Sequence, residues 1–341
     1  MIKSHFGLYD SCFYRGNSFM PVLLPENRNS RRINAALNFA HANFHANLNL
    51  DSLADVACLS KYHFLRLFHD QVGESPVSFL KRIRLERSAC LLSYADNRSI
   101  LDVALNCGFS SSQLFSRSFA KMFGHCPRDY RSAHQYDLRG DFLRQRFRAE
   151  GIAYNHQSSG DQMNIVRSPP VRVAYVRNIG SYGGSTGIRE SMDSITRWAK
   201  SHRLWTTNTK IVGVSWDYSS LTPKTLCRYD ACIPIPKNYS DTSGISVQTL
   251  PGGLFSTMRT KIEKGNEVLL NWQLSDLILM TSPKFGRYQF ESNMGPWYEV
   301  FSPTNPDGTR EMVLCTHLHP RSSVMEYPEY RGQMCSLSDA R

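Results

Sequence analysis

The sequence predicts a multidomain protein: an all-α region carrying two helix-turn-helix units, then an α+β region built from two βαββ repeats. Three observations predict this. From Arg31 to His134 apolar residues recur at three- and four-residue spacing and Gly is scarce, which is the pattern of packed helices. Within that region one stretch of sequence occurs twice. After Asn164 the texture changes to alternating and β-branched runs punctuated by Gly and Pro, and a second, different repeat emerges.

These changes divide the chain. Residues 1–30 read as a loosely ordered leader, 31–134 as the helical domain, 135–162 as a basic linker, 163–322 as the α+β domain and 323–341 as a tail. Arg144, Arg146 and Arg148 make the linker basic, the mark of a solvated helix or of contact with an anionic backbone. A chain of 341 residues with 41% hydrophobic content has room for two packed cores. Its net charge of +11 points to an anionic partner such as nucleic acid. The nine Cys form no C-x-x-C pair and sit mostly in apolar runs, so they read as core residues in a reducing, cytoplasmic setting. His41 and His45 have helical i,i+4 spacing without an evident third ligand, and read as solvated. No cofactor or metal is expected, and no apolar run reaches the length of a membrane span.

In the helical domain, "SKYHFLRLFHDQVGESPVSF" from Ser60 aligns with "SSQLFSRSFAKMFGHCPRDY" from Ser111. Phe64, Arg66, Phe68, Gly73, Pro76 and Phe79 match Phe115, Arg117, Phe119, Gly124, Pro127 and Tyr130. The aromatic positions share one helical face and should be core. Gly73 and Gly124 should end the helices in the left-handed conformation, and Ser75 with Pro76 should start the next. A short helical segment precedes each unit, "LDSLADVA" and "SILDVALNCG", so each reads as a helix-turn-helix. The opposite faces carry Lys61, Tyr62, Leu65 and Arg66, and Ser112, Gln113, Ser116, Arg117 and Lys121. Arg can bond guanine bidentately, Gln can bond adenine and Leu can meet a thymine methyl. Lys and Ser suit phosphates. Residues 75–95 read as one rigid helix of about 28 Å at 1.5 Å per residue. That length could set two recognition helices into successive major grooves, about 34 Å apart.

"GESPVSFLKRIRLERSACLL" followed by "ILDVALNCGFSSSQLFSRSFAKMFGHCPRDYR" resembles the AraC/XylS class of bacterial transcription regulators. The resemblance spans residues 31–134 and implies a seven-helix, double helix-turn-helix domain that binds double-stranded DNA across two major grooves. It implies base-facing positions at Tyr62, Leu65 and Arg66 and at Ser112, Gln113, Ser116 and Arg117. One departure stands out. The second unit has "LNCGF" between Ala104 and Ser110, whereas the first has only "CL" between Ala57 and Ser60. Read this way, about three residues, nearly a helical turn, and the usual Gly are missing. Either the first short helix ends a turn early or the first unit is tilted.

In the α+β domain, "NIVRSPPVRVAYVR" (164–177) aligns with "SVQTLPGGLFSTMR" (246–259), matching Pro169 with Pro251 and Arg177 with Arg259. "ACIPIP" and "LCTHLHP" also correspond, with Cys232 in register with Cys315. Each half reads strand, helix, strand, strand, giving a curved antiparallel sheet with helices on one face and a pocket at the seam between halves. The helices fall near "STGIRESMDSITRWAKSHR" and "NEVLLNWQLSDLILM", where Trp198 and Trp272 should be core. "IGSY" (179–182), "RYDACI" (228–233) and "GPWYEVF" (295–301) resemble the GyrI-like effector-binding fold, and the domain order resembles the Rob type of AraC-class regulator. The resemblance implies a pocket for bulky, lipophilic, often cationic compounds, with Glu299 as its acid; Tyr182, Trp216 and Trp297 sit at element ends, where pockets open, and with Tyr298 beside the acid they are the candidate aromatic walls. The expectation is a non-enzymatic, ligand-responsive regulator of transcription that meets RNA polymerase. The alternatives are a GyrI-like hydrolase using Glu299 and a DNA-binding protein without sequence preference.

Overall fold

The computed structural model describes residues 27–94, 98–134, 163–182, 186–218, 221–242, 244–263, 288–290, 296–305 and 307–320. The basic linker with its three arginines, the tail, most of the leader and the helix expected around Trp272 lie outside these described residues.

Seven helices form the N-terminal domain: α1 (Arg28–Ala42), α2 (Leu50–Val56), α3 (Lys61–Val72), α4 (Pro76–Tyr94), α5 (Ile100–Asn106), α6 (Ser112–Phe123) and α7 (Pro127–His134). Capping boxes start the two short helices, Asn49 with Ser52 on α2 and Ser99 with Asp102 on α5. Gly73 and Gly124 end α3 and α6 at φ 82° and 75°. Two cores result. Phe64, Phe68 and Val72 of α3 pack with α1, α2 and the front of α4 through Phe79, Leu80 and Ile83. Phe115 and Phe119 of α6 pack with α5, α7 and the rear of α4 through Leu85, Ala89, Leu91 and Leu92. Each fully buried Phe contributes about 1.5–3 kcal/mol, and α4, which belongs to both cores, fixes their spacing.

The first unit is not short by a turn. α2 and α5 have seven residues each, and Ala54, not Ala57, corresponds to Ala104; both are buried. The turns that follow use the same bonds. Leu59 N–H reaches Ala54 carbonyl at 3.0 Å, and Phe109 N–H reaches Ala104 carbonyl at 2.9 Å. The left-handed seat taken by Gly108 at φ 80° is taken by Cys58 at φ 51°. The short helix therefore does not end a turn early: a non-Gly residue accepts the strained conformation, and a single residue is absent before α3. At Gly108 glycine is needed for space as well, since a side chain there would meet the carbonyls of Phe44 and His45 at 3.0 and 2.9 Å.

The C-terminal domain is one antiparallel sheet with a helix, α8 (Thr186–Ser201), packed on one face. Its strands are β1 (Met163–Ser168), β2 (Val171–Ile179), β3 (Ile211–Ser215), β4 (Arg228–Pro234), β5 (Ser246–Leu250), β6 (Gly253–Glu263), β7 (Tyr288–Phe290), β8 (Trp297–Phe301) and β9 (Thr309–Pro320). The order is β1-β6-β9-β8-β3-β4-β2-β5, with β7 beside β9. Each repeat is longer by a strand than the sequence suggested. "NIVRSPPVRVAYVR" breaks at Pro169–Pro170 into β1 and β2, because proline withholds the N–H a continuous ladder needs. The leading strands then change sides: β1 pairs with β6, and β5 with β2. Where the two bends meet, a side chain at Gly252 would fall 2.6 Å from the Ser168 carbonyl and the Pro170 nitrogen, so only glycine fits.

The centre of the sheet is the β3–β8 pair, where the two repeats meet. Strand alternation assigns the faces. Ile211, Tyr229, Ala231, Phe301 and Met312 face α8 and share a core with its Trp198. Val212, Val214, Tyr175, Cys232, Tyr298 and Cys315 occupy the other face.

Candidate functional site

The candidate nucleic-acid face is formed by α3 and α6. On α3, Lys61, Tyr62 and Arg66 are exposed, Tyr62 at 87%, and Leu65 is half-buried. Lys61 is held by Asp51 of α2 at 2.6 Å, which ties the start of α3 to the helix before it. On α6, Gln113, Arg117 and Lys121 are exposed, while Ser112 and Ser116 are half-buried at the edge of the same face. Both arginines point away from the cores that hold Phe64, Phe68, Phe115 and Phe119.

The second candidate lies at the seam between sheet halves. Glu299 of β8 stands opposite Gly213 of β3 and is 1% exposed. The Tyr229 hydroxyl donates to Glu299 Oε2 at 3.1 Å and Ser215 Oγ donates to Oε1 at 3.2 Å. Gly213 makes this possible: a side chain there would overlap the Tyr229 hydroxyl and come within 3.1 Å of the carboxylate. Burial pushes the Glu299 carboxyl up to about 7, against the opposing pull of the Tyr229 and Ser215 hydroxyls and the Arg310 charge. Arg310 lies over the Phe301 ring at 4.3 Å. A carboxyl poised near neutrality can switch its charge cheaply when a cation arrives.

The five residues expected around the effector do not converge. Glu299 and Trp297 project to the α8 face, since they are two apart on β8. Tyr182 packs on the same core, with its ring centroid 6.3 Å from that of Tyr229. Tyr298 is the strand neighbour of Glu299 and therefore points to the opposite face, where it is buried against Phe255 and His317. Trp216 also lies on that opposite face, edge-on to His41 with centroids 4.7 Å apart. Ser215 and Tyr229 are the positions sequence reasoning missed. Their signal was the period of two: Ser215 is two residues from Gly213, and Tyr229 belongs to the quoted "RYDACI".

The structure also shows a polar interface between the domains. His41 is not solvated; with Asn34 and Asn38 it forms a stripe on α1 that meets the sheet. Asn34 Nδ2 donates to Ser246 Oγ at 3.2 Å. Asn38 Nδ2 donates to the Tyr175 hydroxyl and to Gln248 Oε1, both at 3.1 Å, and Asn38 Oδ1 accepts from Arg177 at 2.7 Å. Arg177 and Asp230 form a bidentate pair at 2.6 and 2.7 Å. Arg228 clasps Asp217 through Nε and Nη2 at 2.8 and 2.7 Å and lies over the Phe79 ring of α4. Arg82 of α4 joins Glu74 and Glu86 and approaches Asp217 at 3.9 Å. Burial and the Arg87, Arg228 and Arg177 charges hold the His41 imidazole well below its usual value, so it is neutral in this setting.

Comparison with known proteins agrees with both halves of this geometry. Residues 53–133 match the helix-turn-helix domain family, and residues 161–272 match the GyrI-like small molecule binding domain family. Glu299 lies beyond the second matched span. The chain is 33% identical over 102 residues to an HTH-type transcriptional regulator, YbfP, of Bacillus subtilis, covering 30% of this chain and 34% of the relative. It is 38% identical over 93 residues to the right origin-binding protein of Escherichia coli, covering 27% and 32%. The chain thus spans about a third of the length of these curated relatives. Among solved structures, the DNA-binding domain of AdpA in complex with a target DNA aligns at 27% identity and TM-score 0.30, over 30% of this chain and 93% of that one.

Proposed function

We propose that this chain, an AraC-type helix-turn-helix domain followed by a GyrI-like small-molecule binding domain, is a transcription regulator that binds DNA and senses a bulky, lipophilic cation. Tyr62, Leu65, Arg66, Ser112, Gln113, Ser116 and Arg117 are the base-facing set, and Lys61 and Lys121 meet phosphates. Glu299, Trp297 and Tyr182, joined by Tyr229 and Ser215, face the effector. The regulator acts in the cytoplasm on promoter-bound RNA polymerase.

The observation that carries the reading is Glu299 itself. It is a buried carboxylate at the seam of two repeats, held by two neutral hydroxyls and neighboured by aromatic rings. Such a site favours a flat cation by charge pairing and cation–π contact together. Selection of DNA sites with the purified chain, with and without tetraphenylphosphonium and related cations, tests it. A defined motif whose occupancy shifts with the cation is expected. Enrichment without a motif, or a motif blind to every cation, rejects it. Within that assay Arg117→Ala should weaken specific binding by about 1–3 kcal/mol and leave random DNA less affected.

A further inference from the structure

We infer that the connection between β3 and β4 is a strap that carries the state of the Glu299 site to both helix-turn-helix units. This rests on the effector reading above and adds its route. The sequence never paired these two regions; the sheet does.

Both ends of the connection are fastened to one carboxylate. Ser215, the last residue of β3, donates to Glu299 Oε1, and Tyr229, the second of β4, donates to Oε2. Tyr182 closes the base of the strap: its hydroxyl donates to the Arg228 carbonyl at 2.8 Å and accepts from the Asp217 N–H at 3.0 Å. Between these ends the described residues 216–218 and 221–227 meet the helical domain. Trp216 meets His41 of α1, and its indole N–H donates to Asp230 at 2.7 Å. Leu221 packs against the core of the second unit and lies near Glu86 and Cys90 of α4. Leu226 reaches the first unit, one of its methyls lying 3.4 Å from where a side chain on Gly73 would begin. Tyr218 adds a link to the effector side, its ring edge-on to Trp297 at 6.0 Å. A cavity of about 20 Å³, the size of a single water, lies between the strap and the helical domain, lined by His41, Glu86, Arg87, Trp216 and Tyr218.

A cation that engages Glu299 competes with the Ser215 and Tyr229 hydroxyls. Both anchor points then change together, and the change is passed to α1, α4 and the caps of α3. Coupling requires such differential contact in two states, and the strap supplies it without contacting DNA.

The test uses the full chain, tetraphenylphosphonium as the probe and a duplex recovered by selection. Saturating probe should change wild-type DNA affinity at least fivefold. Leu221→Ala and Leu226→Ala should each cut that change to below twofold while probe affinity stays within twofold of wild type. If the probe binds and wild-type DNA affinity is unmoved, or if both variants keep the full change, the strap is overturned while the effector reading stands. If the probe does not bind, the effector reading falls for this cation. The strap is then judged by amide exchange in Ser215→Ala and Tyr229→Phe. Faster exchange in 33–41, 79–87 and 112–123, with 253–259 of β6 as internal reference, supports it; wild-type rates in both variants reject it.

Discussion

Arg177 and Arg259 occupy the same position in the two sheet repeats, and their surroundings are opposite. Arg177 on β2 faces Asp230 across the ladder, and the two side chains are 1% and 0% exposed. Arg259 on β6 faces Val313 and turns instead to Glu311, with 57% and 50% exposure. The difference is what each repeat touches. The first carries α1 on its outer face and has a buried charge cluster there; around Arg259 the ion pair stays in water. Duplication supplied the arginine twice, and docking of the helical domain gave only one copy a load.

The comparison can be broken most severely at Asp230. Asp230→Ala leaves the Arg177 guanidinium buried without its partner and strands the Trp216 and Gln248 donors. Denaturant unfolding should show a loss of about 3–5 kcal/mol. Next comes the carboxylate on the axis between the repeats. Glu299 titrates near 7 when folded and near 4.3 when unfolded, so between those values the folded state holds the extra proton. Stability due to Glu299 is therefore present below about pH 4.3 and is lost as pH rises towards 7. Glu86, also pushed up to about 7 mainly by burial, acts in the same direction, and neutral His41 acts against both. The difference between wild type and Glu299→Gln across pH 4–8 isolates the Glu299 share. It should show the glutamine variant gaining relative stability as pH rises. On the proposed effector reading, the same ionisation should make cation affinity increase up to about pH 7, with proton release measurable by calorimetry in buffers of different ionisation enthalpy. In the helical repeat the comparable asymmetry is Cys58 against Gly108. Cys58→Gly should stabilise the chain by about 1 kcal/mol in thermal unfolding, because it relieves a left-handed residue. Smallest of all is Arg259→Ala. An exposed pair contributes about 0–1 kcal/mol, so its unfolding midpoint should barely move.

Much of the fold was written locally and could be read. Gly73, Gly124, Ser75 and Pro76 mark helix ends through their own backbone preferences, and Phe64 and Phe115 mark cores by spacing. The exposed faces of α3 and α6 followed from the same periodicity. What escaped was whatever depends on a partner distant in sequence. Alignment by letters matched Ala57 with Ala104, because nothing in the sequence says that a cysteine will accept the conformation glycine usually takes. Tyr298 was grouped with Glu299 by adjacency, although a strand sends neighbours to opposite faces. The exchange of β1 and β5 between repeats left only Pro169, Pro251 and Gly252 as traces. The domain interface left fewer still: Asn34, Asn38 and His41 look like an ordinary wet stripe until the sheet is laid against them.

That stripe has a consequence during synthesis. The helical domain leaves the ribosome first and folds before the sheet that will cover it exists. An apolar docking face would spend that interval as an aggregation site. Two amides and an imidazole do not; water satisfies them until Ser246, Gln248, Tyr175 and Arg228 arrive. Along α1, the nascent chain thus presents to water a surface that water can satisfy until its second half lands there.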